Sequence, residues 1–202
     1  MAGPLRAEQP ATTAPLRPVR LGAPDTVVTR DADGTIHLRT QAPLGAYHAN
    51  LGEPLAHWAR EAPERVFLAQ RGPDDAWRKL TYAQVFDTVK RIGTTLLRRG
   101  LSPERPIVIL SGNGIEHALL GLAAAHVGIP FAPISPAYSL MSSDFGKLRM
   151  IVDLLTPGMV FAADGTAFGR AIAAVVPNDV ELVVTANPPS NRKATLFADL
   201  IG

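Results

Sequence analysis

Residues 100–155 read GLSPERPIVILSGNGIEHALLGLAAAHVGIPFAPISPAYSLMSSDFGKLRMIVDLL. The run Ile107-Val108-Ile109-Leu110 is short and wholly apolar, as expected of a strand covered on both faces. It enters a helix in which Ile115, Ala118, Leu119, Leu122 and Ala123 share one face, with Asn113 and Glu116 spaced to cap it. Gly128 ends that helix and feeds a Pro-bounded strand at 129–134. The loop Ser135-Pro136-Ala137-Tyr138-Ser139 follows. Phe145, Leu148, Val152 and Leu155 then mark another helix, stopped before Thr156-Pro157-Gly158. Strands alternating with capped helices in this order predict a parallel sheet wound on both faces.

The same alternation continues downstream. Residues 159–162 and 180–184 are short apolar runs, joined by a helix around 168–175, and 195–201 reads as a last turn or two. Upstream, Thr81 and Gln84 have capping-box spacing, and Val85, Val89, Ile92 and Leu96 form one stripe of a long helix. Arg98, Arg99 and Gly100 supply cations and a left-handed-tolerant residue at its end. Before residue 81 the pattern is different. Asp33-Gly34 between alternating runs predicts a hairpin, because a type I′ turn needs positive φ. Gly72-Pro73-Asp74-Asp75 separates a second pair of runs. A short helix at 54–62 is opened by Pro54 and stopped by Pro63, with Leu55, Trp58 and Ala59 inward. The sequence thus divides into a flexible Pro/Ala/Arg-rich arm at 1–24, hairpins and a short helix at 25–80, and an α/β region at 81–202.

Composition narrows the function classes. The chain has 202 residues, 47% hydrophobic and 19% charged, enough to bury a real core. A net charge of +2 without a basic stripe gives no reason to expect nucleic acid or an anionic membrane. There is no cysteine, hence no disulfide, thiol nucleophile or Cys-based metal site. No apolar run reaches the ~20 residues that span a bilayer, and the first residues lack the apolar core of a secretory signal. A cytoplasmic location is the expectation.

Each constellation that could carry chemistry has a plainer reading beside it. Ser111-Gly112-Asn113-Gly114 lies between a strand and a helix, where backbone amides can hold an anion. His117, however, stands where a dinucleotide fingerprint has its third glycine, and no acid ends the strand near Ile134. A tight strand-to-helix turn explains it better. The five histidines (37, 48, 57, 117 and 126) have no metal-ligand spacing, and no Ser occupies a Gly-x-Ser-x-Gly elbow. Hydrolase and metalloenzyme readings fall away. Ligands of doubly wound sheets sit outside the strand carboxyl ends. That draws attention to 135–139 and to 164–170, which follow two such ends.

The order of elements, the Leu80-Thr81-Tyr82 helix opening, the Ser-Pro-Ala-Tyr-Ser loop, the Asp-Phe-Gly-Lys-Leu run at 144–148 and the DGTIHLRT lead-in together resemble the N-terminal part of the AMP-forming acyl-CoA synthetases. They are most similar to the feruloyl-CoA synthetases. The resemblance covers roughly 35–202. It implies an incomplete N-terminal domain of an adenylate-forming ligase, which uses ATP and Mg2+ to activate a carboxylic acid, here a hydroxycinnamate or a relative, and then transfers the acyl group to CoA. The family's Thr-Ser-Gly-rich phosphate loop with its Pro-Lys-Gly, its later Tyr/Thr-Glu motif, its ribose-binding aspartate and its C-terminal lysine have no counterpart here. The isolated chain is therefore expected to be inactive, with no catalytic residue, no metal ligand and no ATP contact assignable to it. By the same resemblance Ser135, Tyr138, Ser139 and Arg170 border the channel through which CoA enters, where Arg170 would meet a phosphate. Arg170 as an ordinary helix-surface arginine is the competing reading. A non-catalytic Rossmann-like binding or structural module is the alternative for the whole chain. Apolar residues on more than one face predict self-association.

Overall fold

The computed structural model describes residues 25–202. The arm at 1–24 lies outside the described residues. By compactness the chain divides between Tyr47 and His48.

The first unit holds one hairpin, β1 (Thr26–Arg30) and β2 (Ile36–Thr40), paired antiparallel. The Asp-Gly hairpin is present, but its turn is not type I′: Gly34 alone takes positive φ, 90°, and Gly34 N donates to Asp31 O, a type I turn closed by a left-handed glycine.

In the second unit α1 (Gly52–Glu61) precedes a hairpin of β3 (Val66–Arg71) and β4 (Trp77–Thr81). Leu55 is buried as expected, whereas Trp58 keeps 41% of its surface exposed and lies against the ring of Tyr82. Helix α2 (Tyr82–Leu97) opens with the complete capping box. Gln84 N donates to Thr81 Oγ1, and Thr81 N donates to Gln84 Oε1.

Then come β5 (Ile107–Leu110), α3 (Ile115–His126), β6 (Phe131–Ile134), a single turn α4 (Ala137–Leu140) and α5 (Gly146–Leu155). After them follow β7 (Met159–Asp164), α6 (Gly169–Val175), β8 (Glu181–Ala186), β9 (Thr195–Leu196) and α7 (Ala198–Ile201). The sheet order is β6-β5-β7-β8-β9, and every pair is parallel. The stretch 195–201 is thus partly an edge strand where a turn or two was expected. Its register, Val183 opposite Thr195, comes from a neighbour in space, which a local pattern does not carry.

Alternation along the strands sorts the core into two. Ile107, Ile109, Met159, Phe161 and Val183 pack with α2, α3 and α7 on one face. Val108, Leu110, Val160, Ala162, Leu182 and Val184 pack with Leu148 and Val152 of α5 and Ile172 of α6 on the other. Strands buried on both sides read as unbroken apolar runs, which is why the sequence showed no alternation there. The fold is an α/β doubly wound parallel sheet.

Pro133 lies in an edge strand. Ile107 N donates to Pro130 O at 3.0 Å, with Ile107 opposite Phe131. In a parallel ladder this turns the polar groups of 130, 132 and 134 toward β5. The ring nitrogen of Pro133 therefore falls on the outer rim, where it breaks no hydrogen bond.

Candidate functional site: the carboxyl edge of the sheet

Because all five strands run the same way, their carboxyl ends share one edge, and the loops leaving them form the natural ligand surface. β5 is joined to β6 by α3 on one face, and the chain returns past β5 to β7 by α5 on the other. The crevice of this reversal lies between the ends of β5 and β7.

A cavity of about 210 Å³ occupies that crevice, lined by Gln70, Ser111, Asn113, His117, Ala163 and Thr185 among others. Several of its polar groups are already committed. Ser111 Oγ donates to Gly112 O at 2.6 Å. His117 Nδ1 lies 3.1 Å from the same carbonyl, which can only accept, so Nδ1 carries the proton. The expected cap is corrected here. The N-cap of α3 is Gly114, with no side-chain cap, and Asn113 does not serve. Instead Ile115 N donates to Gln70 Oε1 at 2.9 Å, reaching across from β3. Glu116, in the first turn, pairs with Arg78. With an amide already capped and a carboxylate beside it, this turn repels an anion. Nucleotide binding at Gly112 and Gly114 has no support.

The second part of the edge is built by the α4 turn and the starts of α5 and α6. Ser135 is exposed, Tyr138 is half-buried and Arg170 is exposed. Ser139 is buried, and among the described residues its Oγ has no hydrogen-bond partner. Its backbone N–H donates to Pro136 O, bracing the turn. Helix α5 starts from Phe145, a buried residue at φ 55°, in the left-handed region that a bulky side chain rarely adopts. Ser142 Oγ accepts from Phe145 N, and Asp144 Oδ1 accepts from Gly146 N. The Gly146 amide and the Ser142 hydroxyl hold the Asp144 carboxyl below its ordinary value. The Arg170 guanidinium carbon stands 5.7 Å from the Phe145 ring centroid, and Lys147 Nζ stands 5.4 Å from that of Tyr138. The expected helix stripe began at Phe145, but α5 starts one residue later, and the left-handed backbone of Phe145 has no signal in the local pattern.

A hydrogen-bonded lock fixes the β7 and β8 ends. Asp164 Oδ1 accepts from Thr166 N and Ala167 N, and Asp164 Oδ2 accepts from Asn187 Nδ2 at 2.6 Å. The Ala167 amide, then Asn187, hold this carboxyl below its usual range. A Cβ on Gly165 would sit 2.5 Å from Asn187 O, so only glycine lets the two loops approach this closely. Beyond the lock, the loop after β8 returns along α6. Arg192 anchors it by donating to Val176 O, Pro177 O and Val180 O. Between this loop and α6 runs a groove of about 720 Å³ with Arg170 on its lip and no acidic residue in its lining.

The residues present do not suit every group the family employs. Among the described residues no three His, Asp or Glu side chains gather to hold a metal. The Gly/Ser turn at 111–114 has the following helix amide, Ile115 N, already taken by Gln70. Beside Ser135 and Tyr138, Lys147 and Arg170 form no ion pair among the described residues.

The AMP-binding enzyme family model matches residues 55–198. This chain belongs to that family. No curated protein matches it. Among solved structures it is similar to the luciferase-like enzyme of the nonluminescent mealworm Zophobas morio, at TM-score 0.60 and 17% identity, covering 76% of this chain and 34% of that enzyme. The acyl-CoA synthetase of Brucella canis gives TM-score 0.60 and 18% identity, covering 75% of this chain and 27% of the other. A fatty acyl-adenylate ligase of L. pneumophila, solved with acyl adenylate and pyrophosphate, gives TM-score 0.52 and 20% identity, covering 68% and 23%. At such identities the likeness shows the fold. The chain spans between 23% and 34% of the length of these three structures. Among the described residues no helix is long and apolar enough to cross a membrane.

Proposed function

We propose that this chain is the N-terminal portion of a feruloyl-CoA synthetase-like acid–CoA ligase and that it supplies the CoA-facing wall without performing the adenylation. The observation that carries this is the family match over 55–198 on a sheet whose carboxyl edge bears Arg170, which forms no ion pair among the described residues. In the full reaction a carboxylate, a hydroxycinnamate on this reading, attacks the α-phosphorus of Mg2+-bound ATP and displaces pyrophosphate. The CoA thiol then displaces AMP. ATP and Mg2+ have no fitting residues here, so this chain contributes only to the second half. There Arg170 pairs with a CoA phosphate, and Ser135, Tyr138 and Ser139 shape the approach, Ser139 through its backbone. A charge-assisted pair of this kind contributes roughly 1.5–3 kcal/mol when desolvated and less at an exposed mouth.

The test is calorimetry of the chain with CoA beside a pyrophosphate-release assay with ferulate and ATP. Expected are measurable CoA binding, weakened several-fold in Arg170→Ala, and no pyrophosphate above background. Acid-dependent pyrophosphate release would show that the chain adenylates, and absent CoA binding would remove the CoA wall.

A further inference from the structure

The chain holds five asparagines, all among the described residues, and four of them are hindered from losing their side-chain amide. An asparagine is vulnerable when the backbone nitrogen of the next residue can reach its Cγ and close a small ring. Asn187 is followed by Pro188, which has no N–H to give up, and its amide is tied to Asp164. Asn50 accepts from Gly52 N through Oδ1 and donates to Glu53 through Nδ2. Asn178 and Asn191 precede Asp179 and Arg192, whose side chains crowd the attacking nitrogen. Asn113 alone precedes a glycine.

The turn between β5 and α3 leaves the reacting groups free. Asn113 is exposed, caps nothing and has no side-chain hydrogen bond among the described residues. Gly114 N likewise donates to no acceptor among the described residues, the amide held by Gln70 being that of Ile115. Gly112 and Gly114 flank Asn113, so the rotation that brings nitrogen to Cγ meets no Cβ on either side. The two Asp-Gly pairs make the contrast. Gly34 N donates to Asp31 O, and Gly165 N donates to Ala186 O, so both nitrogens are occupied. The amide of Thr35 holds the Asp33 carboxyl, and that of Ala167 the Asp164 carboxyl, below the ordinary value, which keeps both ionised and unreactive.

We propose that Asn113 is a site of spontaneous deamidation, with Gly114 N as the nucleophile and water as the co-reactant. Gly114 N gives its proton to hydroxide and attacks Asn113 Cγ. The Cγ–Nδ2 bond breaks, and Nδ2 leaves as ammonia with a proton from water, which regenerates the hydroxide and leaves a cyclic imide. Water then opens the ring. Opening at Cγ gives aspartate, and opening at the main-chain carbonyl gives isoaspartate, with the backbone running through the side chain. Either product lowers the formal net charge of +2 by one and puts a fixed anion in the cavity of about 210 Å³ that Asn113 lines. The isoaspartyl link also lengthens the turn, which pulls on the bond from Ile115 N to Gln70.

The experiment keeps the full chain in mildly alkaline buffer for weeks, then maps its peptides by mass and labels them with an isoaspartyl-specific methyltransferase. Expected are amide loss and isoaspartyl label at 113, faster as pH rises, while the other four asparagines keep their amides. Gly114→Ala should slow the loss about tenfold or more, since a methyl beside the nucleophile blocks its approach. That variant suits the fold: Gly114 is extended at φ −160°, and an added Cβ would come no closer than 3.8 Å to Gln70. Circular dichroism confirms that it folds. Asn113→Gln should remove the label altogether. If the folded chain keeps its amide at 113 while the same chain in urea loses it, the turn protects Asn113 and the proposal is overturned. Equal rates in Gly114→Ala and wild type, or equal loss at Asn178 or Asn191, would overturn it as well.

Discussion

Asp164 closes one loop and ties it to the next. Its Oδ1 collects the amides of Thr166 and Ala167, which lead into α6, and its Oδ2 holds Asn187, itself at φ 49°. Because the folded carboxyl is held below its unfolded value, its stabilisation is complete above the ordinary carboxylate range near ~3.9 and is lost as pH falls through the folded value. Asp164→Ala should therefore cost about 1 kcal/mol at neutral pH, as loss of a cap does, and the difference from wild type should shrink in acid. Urea unfolding at neutral and acidic pH checks this; a gap that widens in acid would contradict it. At this scale the sequence was legible where chemistry is local. Asp33-Gly34 announced its turn, and Thr81 with Gln84 its box. Phe145 announced its burial but not its left-handed backbone, which a local pattern does not carry.

Helix α3 shows how an element can draw its ending from elsewhere. Asn113 stands where a cap is wanted, yet the acceptor for Ile115 N comes from Gln70, 45 residues earlier in the chain. Gln70→Ala should destabilise the chain by about 0.5–2 kcal/mol, the span typical of a lost N-cap, while Asn113→Ala should cost almost nothing. Thermal melts of the two variants compare them directly. Equal losses would return the capping role to Asn113. Helices and buried strands were readable from periodicity and from unbroken apolar runs. β9 was not, because two residues carry no period and their strand character exists only beside β8. The candidate face was half-readable: strand ends locate it, but only the rings beneath Lys147 and Arg170 single out its charges.

For the whole molecule, the balance of covered and uncovered apolar surface matters. A largely apolar cavity of about 470 Å³ opens beside α3, lined by Leu51, Phe67, Ala118, Leu122 and Phe131 among others, and Leu51 stays 70% exposed. Val28, Ile36 and Leu38 of the first hairpin are exposed as well. Exposed apolar surface, on each unit by itself, drives association. The chain should therefore self-associate as concentration rises and bind a hydrophobic dye. Sedimentation velocity across a concentration series checks it, and a monodisperse monomer throughout would show that the surface is harmless.

The proline in β6 sets a limit on how far such association can go. The five-stranded sheet has two rims, and the one carrying Pro133 is missing a donor where a visiting strand would need it. Among the described residues, that leaves the β9 rim as the one live end of this sheet. A polymer made by adding strand to strand requires two live ends per copy, whereas one live end supports only a pair, joined back to back and then finished. Whatever assemblies this sheet makes through its backbone should stop at two.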